Sequence, residues 1–330
     1  MIRLVRSASD YRGDGEVSGP ATVQGGGSVR EKTLGVVDIG SNTVHLLVAR
    51  TNGRSITPLL DMSEGLMLGG HVDYDGTLSP DKLDELLSTL GTYQSAAAEM
   101  GVTDLHLLAT HAIRTAVNKD AVSKAIEDTL GLQIDILSTE EEAEYSFLGA
   151  DAACPSVGPQ VVVDIGGGSM QVSVGENGQV WDSVSLPLGG ARVATRFLPS
   201  DPPTYLEEAL LVTYLAKTLP DALPLRDTNA SGVLGVGGTL RRAPVLLGTD
   251  LVPGASYHQA DLEKMLAAVR GKRTEEIAAE YALKPERARL LMAALILVRE
   301  VLRGYDFPPL IISAYGLREG AIMSLARKGA

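Results

Sequence analysis

The sequence predicts an α/β protein made of two related domains, and three observations carry that prediction. The chain has 330 residues, enough for two sizeable cores. Val36 to Gly53 reads VVDIGSNTVHLLVARTNG, and Val162 to Gly178 reads VVDIGGGSMQVSVGENG. Each is a strand, Asp-Ile-Gly, a small polar loop, a second strand and an Asn-Gly turn. A third glycine loop, Gly235-Val236-Gly237-Gly238-Thr239, follows the apolar strand Val233 to Val236. The acids Asp38 and Asp164 are 126 positions apart (164 − 38), a spacing that suits a duplicated domain and not a solenoid repeat.

Composition narrows the function. Net charge is −12, from 29 Lys and Arg against 41 Asp and Glu. Such an acidic chain is a poor non-specific nucleic-acid binder. A polyanionic ligand would need a local patch of Arg and Lys, helped by glycine-loop amides and Mg²⁺. The lone Cys154 excludes an internal disulfide, and no Cys/His spacing suggests zinc. His45, His71, His106, His111 and His258 are scattered and read mostly as surface or core residues. The longest apolar run, Leu290 to Val298, is too short to cross a bilayer, and the N-terminus has no apolar signal core. The expectation is a soluble, cytoplasmic protein without membrane or nucleic-acid partners.

Along the chain, residues 1–32 are rich in Gly, Ser and charge and read as a mobile extension. Leu34 to Asp38 and Val44 to Arg50 form the first hairpin, and Ser55 to Met62 a third antiparallel strand. Asp81 to Met100 has helical spacing at Leu83, Leu86, Leu87 and Leu90, after the start signal Ser79-Pro80. Leu105 to Ala109 is a strand that runs into Thr110-His111-Ala112-Ile113-Arg114. Arg114, at a strand-to-helix junction, could offer a planar donor to phosphate, or sit in a surface ion pair worth little.

Asp120 to Leu130 is a helix, Gln133 to Leu137 a strand, and Ser138 to about Ala152 the crossover helix between the domains. Its first turn holds Glu140, Glu141 and Glu142. Thr139 with Glu142 reads as a capping box; equally, one of these acids could face a cleft and orient a water. In the central hairpin, Gly166, Gly167 and Gly168 leave the loop free of side chains, so its amides can close on an anion. Asp164 stands at the mouth of that loop, placed for a metal or a water.

Val180 to Pro187 is a strand, and Leu186-Pro187-Leu188-Gly189-Gly190-Ala191-Arg192 turns into a helix, with Arg192 able to face an anion. Pro203 to Leu219 is a helix. The loop at Gly237 leads into a helix from Thr239, whose N-terminal amides could hold phosphate. Of Arg241 and Arg242, at least one is expected to be solvated. Gln259 to Val269 is amphipathic; Thr274 to Tyr281 and Pro285 to Arg303 are helices, the second apolar on all sides. Pro308 to Ser313 is a strand, and Ala314-Tyr315-Gly316-Leu317-Arg318-Glu319-Gly320 opens a last helix that should return to the first domain.

These motifs together resemble the exopolyphosphatase and pppGpp phosphohydrolase family, Ppx/GppA. The match rests on DIGSN at Asp38 to Asn42, ATHAIR at Ala109 to Arg114, EEA at Glu141 to Ala143 and DIGGGS at Asp164 to Ser169. LPLGGAR at Leu186 to Arg192, GVGGT at Gly235 to Thr239 and SAYGLREG at Ser313 to Gly320 complete it, over about Leu34 to Ala326. The resemblance implies two actin-like, ribonuclease H-like domains around a central cleft. Their expected bounds are 33–137 plus 316–330, and 138–315. The chain looks like a short member without the helical HD-type domain of longer ones.

The implied reaction is Mg²⁺-dependent hydrolysis of the terminal phosphoanhydride of inorganic polyphosphate. By the same resemblance Glu142 and Asp164 are the catalytic residues, Glu142 orienting or deprotonating the attacking water, and Asp164, with Asp38 and Gln171, forms the metal site. Ser41, Asn42, Arg114, Gly166, Gly167, Gly168, Ser169, Arg192, Gly237, Gly238 and Thr239 would bind phosphates. Gln171 departs from the family's usual GGGSTE, and a neutral amide is the poorer ligand for a hard dication. Removal of a phosphate from pppGpp, or binding of polyphosphate or an alarmone without fast turnover, are the alternatives. An actin-like ATPase or sugar kinase is disfavoured by the EEA and LREG motifs. Homodimerisation is an expectation of the family only.

Overall fold

The computed structural model describes residues 3–4 and 31–328. The chain begins with strands β1 (Arg3–Leu4), β2 (Lys32–Ile39), β3 (Thr43–Thr51) and β4 (Ile56–Gly65). There follow α1 (Leu68–Asp75), α2 (Pro80–Glu99), β5 (Leu105–Ala109), α3 (His111–Thr115), α4 (Lys119–Leu130) and β6 (Ile134–Ile136). Then come α5 (Thr139–Ala153), the meander β7 (Gln160–Ile165), β8 (Met170–Glu176) and β9 (Gln179–Leu186), and helices α6 (Gly190–Phe197) and α7 (Tyr205–Ala222). Strand β10 (Val233–Val236) leads into a 3₁₀ helix at Leu240–Leu247, then β11 (Ser256–Tyr257). Helices α8 (Gln259–Val269), α9 (Thr274–Glu280) and α10 (Pro285–Gly304), strand β12 (Leu310–Ile312) and α11 (Leu317–Lys328) complete the chain.

Among the described residues the strands make two six-stranded sheets, ordered β1-β4-β3-β2-β5-β6 and β11-β12-β10-β7-β8-β9. Strand β2 pairs antiparallel with β3 and parallel with β5, while β7 pairs antiparallel with β8 and parallel with β10. The runs β4-β3-β2-β5-β6 and β9-β8-β7-β10-β12 therefore repeat one topology. This is an α/β architecture of two lobes of one topology around a cleft, as the internal repeat implied.

Both faces of each central strand are covered, which is why each carries adjacent buried valines, Val36-Val37 and Val161-Val162-Val163, in place of an alternating pattern. On the outer faces Val37 packs among Leu86, Leu90 and Ile126, and Val163 among Leu211, Leu262 and Ile296. On the inner faces Val36 and Leu108 meet Ala321 and Ile322 of α11, and Val162 and Leu234 meet Phe147 and Ala150 of α5. Helix α11 thus returns to the first sheet, and α5 backs the second. The two helices cross at glycine. A Cβ on Gly149 would strike the carbonyl oxygen of Gly316, and one on Gly320 that of Tyr145.

The structure departs from the sequence reading in several places. Helix α1 was not foreseen. The segment after Thr239 is a 3₁₀ helix, because Pro244 within it has no N–H to give. The cap of α5 is Ser138, whose hydroxyl accepts from Glu141 N–H while Glu141 accepts from Ser138 N–H. The capping box is therefore Ser138–Glu141 and not Thr139–Glu142. The apolar helix α10 holds two buried charges, Arg299 and Glu300, paired with each other and with Glu263 and Arg303. Residues 1–32, read as mobile, lie outside the described residues except for Arg3–Leu4, which pairs antiparallel with Leu60 and Asp61, and for Glu31 and Lys32. Among the described residues no helix is long and apolar enough to cross a membrane.

Candidate active site

Asp38 and Asp164 occupy the same place in each lobe, next to last on the central strand. Each strand runs into a tight turn, closed by Gly40 N–H to Thr43 O at 3.2 Å and by Gly166 N–H to Ser169 O at 3.0 Å. A glycine-bearing helix start holds each turn from behind. Met67 and Gly69 donate to the carbonyls of Asn42 and Ser41, and Gly190 and Ala191 to those of Gly166 and Gly167. In a trans peptide the N–H points opposite to its carbonyl. Tying these carbonyls back therefore turns the N–H groups of Asn42, Thr43, Gly167 and Gly168 toward the cavity those residues line. The two turns also touch. A Cβ on Gly167 would stand 2.7 Å from the Asn42 side chain, and one on Gly168 would be 2.9 Å from Ser41 Oγ.

The cavity between the lobes has a volume of about 150 Å³. Its acids are Asp38, Glu142, Asp164 and Glu319. Burial pushes the Asp38 carboxyl up to about 7, partly held back by Arg318 and pushed further by Glu142, Asp164 and Glu319. Burial also raises Glu142 to about 7, against Arg114 and with a push from Asp164. Asp164 is raised by burial too, moderated by a hydrogen bond from Ser146 and by Arg241. Glu142 is 7% exposed and its Oε2 accepts from Arg114 Nη2 at 2.8 Å. Since Glu141 takes the capping role, Glu142 is free to turn to the cleft.

The cations are Arg241, Arg287 and Arg318. Arg318 donates to Asp61 Oδ1 at 2.8 Å, and Glu319 accepts from Gly316 N–H at the start of α11. Burial pulls Arg318 down, but Glu319, Asp61 and Asp38 outweigh it, and the net shift is upward. Arg241 donates to Ala314 O at 2.7 Å, and Arg242 is exposed, as expected of one of the pair. Arg287 packs over Gly238, where an added Cβ would lie 2.8 Å from Nη1. Its pKa is lowered by burial and by Arg241 and Arg242. His45, between these arginines, is held neutral by burial and by Arg318, Arg241 and Arg287.

Of the residues singled out in the sequence, Asp38, Ser41, Asn42, Glu142, Asp164, Gly166, Gly167, Gly168, Ser169, Gly237, Gly238 and Thr239 line this one cavity. Three do not. Arg114 turns back to Glu142 and to Leu137 O, at 2.7 Å. Arg192 meets His111 Nε2 at 2.9 Å, joining the lobes. Gln171 lies opposite Asp164 on the neighbouring strand, but it is 1% exposed and gives its amide protons to Ser169 and Ser185. His45, His111, Arg287, Arg318 and Glu319 were missed as site residues. For the last two, the SAYGLREG motif was the available signal. For α1, the signal was the echo of Leu66-Met67-Leu68-Gly69-Gly70 in Leu186-Pro187-Leu188-Gly189-Gly190.

Among the described residues no three His, Cys, Asp or Glu side chains are spaced to hold a metal ion. The donors nevertheless fit a magnesium ion that keeps its waters and rests on one or two carboxylates and on substrate oxygens. Asp38 Oδ1 is buried with no hydrogen-bond partner in a cavity shared with Asp164, a deficit that a cation would relieve.

Comparison with known proteins agrees with this fold. The model of the Ppx/GppA phosphatase family matches residues 47–329. An exopolyphosphatase 1 of Mycobacterium leprae is 30% identical over 301 residues, covering 88% of each chain. An exopolyphosphatase 2 of Mycobacterium tuberculosis is 29% identical over 316 residues, 89% of this chain and 98% of that one. The crystal structure of the Aquifex aeolicus Ppx/GppA family member superimposes with a TM-score of 0.81 at 26% identity, covering 91% of this chain and 99% of that one. With two lobes of one topology closing on a single acid- and amide-lined cavity, this chain belongs to the Ppx/GppA phosphatase family and is a phosphoanhydride hydrolase.

Proposed function

We propose that the protein is a Mg²⁺-dependent exopolyphosphatase that releases orthophosphate from the end of inorganic polyphosphate. One observation carries the reading: amide-bearing turns from both lobes and the buried acid Glu142 open on the same cavity. The lobes are taken as 33–137 plus 316–330, and 138–315. Amides of Asn42, Thr43, Gly167 and Gly168 bind the terminal phosphate, and the loop Gly237-Gly238-Thr239 binds the next. Arg241, Arg287 and Arg318 supply the charge that Arg114 and Arg192 were first expected to bring. Arg114 instead holds Glu142 in place, and Arg192 ties the lobes through His111.

Glu142 accepts a proton from the attacking water as the new P–O bond forms. The bond to the bridging oxygen breaks, leaving orthophosphate and a chain one phosphate shorter. Asp38 and Asp164 would hold Mg²⁺, which when bound neutralises charge on the transferred group. The experiment is orthophosphate release from polyphosphate and from pppGpp, side by side, with Mg²⁺ varied. Release from polyphosphate is expected. Release from pppGpp alone would move the substrate to the alarmone, and release from neither would overturn the reading.

Gln171 favours one other reading, a polyphosphate or alarmone binder with slow turnover, because the amide leaves the second lobe one carboxylate short. Tight binding with negligible release at millimolar Mg²⁺, relieved by Gln171→Glu, would establish it.

A further inference from the structure

We infer that Ser146 is a positioning residue for Asp164, fixing that carboxylate toward a divalent cation; the inference rests on the reading of Asp164 as a cation-holding acid. Helical serines and threonines in this protein commonly spend their proton locally. Thr89 donates to Glu85 O, Thr92 to Ser88 O, Ser95 to Gly91 O, Ser123 to Lys119 O, Thr213 to Ala209 O and Thr218 to Tyr214 O. Each is the ordinary bond to the carbonyl one turn back.

Ser146 breaks the pattern. It is 1% exposed and its hydroxyl crosses from α5 to Asp164 Oδ2, 2.5 Å away. A serine has a single proton, so this contact replaces the local one. Ser146 lies four residues after Glu142, so both side chains leave the same face of α5. That face therefore carries one acid for the cleft and one hydroxyl for another acid.

With Oδ2 committed, the plane of the Asp164 carboxylate is set and Oδ1 is its remaining oxygen. Among the described residues no hydroxyl tethers Asp38 in this way, and its Oδ1 is buried without a partner. Gln171, across the strand pair, cannot do the same work, since its amide protons go to Ser169 and Ser185. The two lobes, alike in backbone, thus treat their acids differently: one is tethered and one is left to its surroundings. Partners of this kind behind a ligating carboxylate typically change metal affinity by about 10- to 100-fold.

The test is Mn²⁺ binding to the whole protein without phosphate, followed by calorimetry, for wild type, Ser146→Ala and Ser146→Cys. Alanine is the best helix former, so the fold should hold, and equal melting temperatures without metal would confirm it. Ser146→Ala is expected to weaken Mn²⁺ by about 10-fold or more, and Ser146→Cys, a weak donor, to fall between. Unchanged Mn²⁺ affinity in Ser146→Ala overturns the inference, as does a wild type that binds no Mn²⁺. Weakened Mn²⁺ binding in a protein that cleaves neither polyphosphate nor pppGpp would leave the inference standing and remove the substrate assignment alone.

Discussion

Glu141 and Glu142 leave the same first turn of α5 in different directions, and the difference can be measured. Glu141 closes the capping box, whereas Glu142 is buried beside Arg114. Glu142→Gln should lower turnover about 10²-fold or more with the fold intact, the scale of a lost general base. Glu141→Ala should cost about 0.5–2 kcal/mol of stability and little turnover. Equal losses of turnover in both variants would show that the turn, and not the acid, is what matters. The same burial makes Asp38 a liability in the free protein. Its carboxyl, ordinarily 3.8, is raised to about 7. The native state therefore keeps a proton that the unfolded chain loses, and stability falls as pH rises between those values. Without Mg²⁺, Asp38→Asn should raise the melting temperature. The gain should be small near pH 4, grow to about pH 7 and then level off, at up to about 4 kcal/mol. A gain independent of pH would mean that charge is not the cause.

At the scale of elements, the strand-turn-strand units were legible because hairpin chemistry is local. Asn177 and Gly178 both take positive φ, 55° and 74°, as the Asn-Gly signal demands. Helix α1 was not legible in the same way. Its first turn is Leu-Gly-Gly, poor in helix formers, and it enters through Met67 in the left-handed region, φ 54°. What holds it is tertiary, the carbonyls of Ser41 and Asn42. Arg287 was illegible for a similar reason: nothing in the spacing of α10 says that its first turn overhangs Gly238. The crossing of α5 and α11 shows the limit most clearly. Each glycine looks like an ordinary helix-weakening residue, yet each is where one helix backbone meets the other. Gly320→Ala should therefore do the opposite of a usual helix substitution. In place of a gain, it should cost about 1–3 kcal/mol through overpacking. Because the two helices back different lobes, turnover should fall with it. A melting temperature equal to or above wild type would show that the crossing can yield.

At the scale of the molecule, the lobes solve a problem set by charge. A protein of net charge −12 has to bind a polyanion. At a distance it repels the substrate; within the cleft, Arg241, Arg287 and Arg318 stand close together on the walls. The long-range term is screened by salt, since the Debye length shrinks from about 30 Å at 0.01 M to about 8 Å at 0.15 M. The short-range term, between desolvated guanidinium and phosphate, is screened much less. Over that range kcat/KM on polyphosphate should hold or rise at fixed Mg²⁺, the reverse of the steep fall shown by a protein that reads phosphates with a basic surface. Arg287→Ala separates the two terms. It removes a half-buried cation from the wall without touching Glu142 or the acids. The loss of one charge-assisted contact should raise KM by about 10-fold or more, with kcat changed far less. The factor should be similar at low and high salt. A loss confined to low salt would place Arg287 in the outer field of the protein, and the phosphate chain would then have to leave the cleft by another wall.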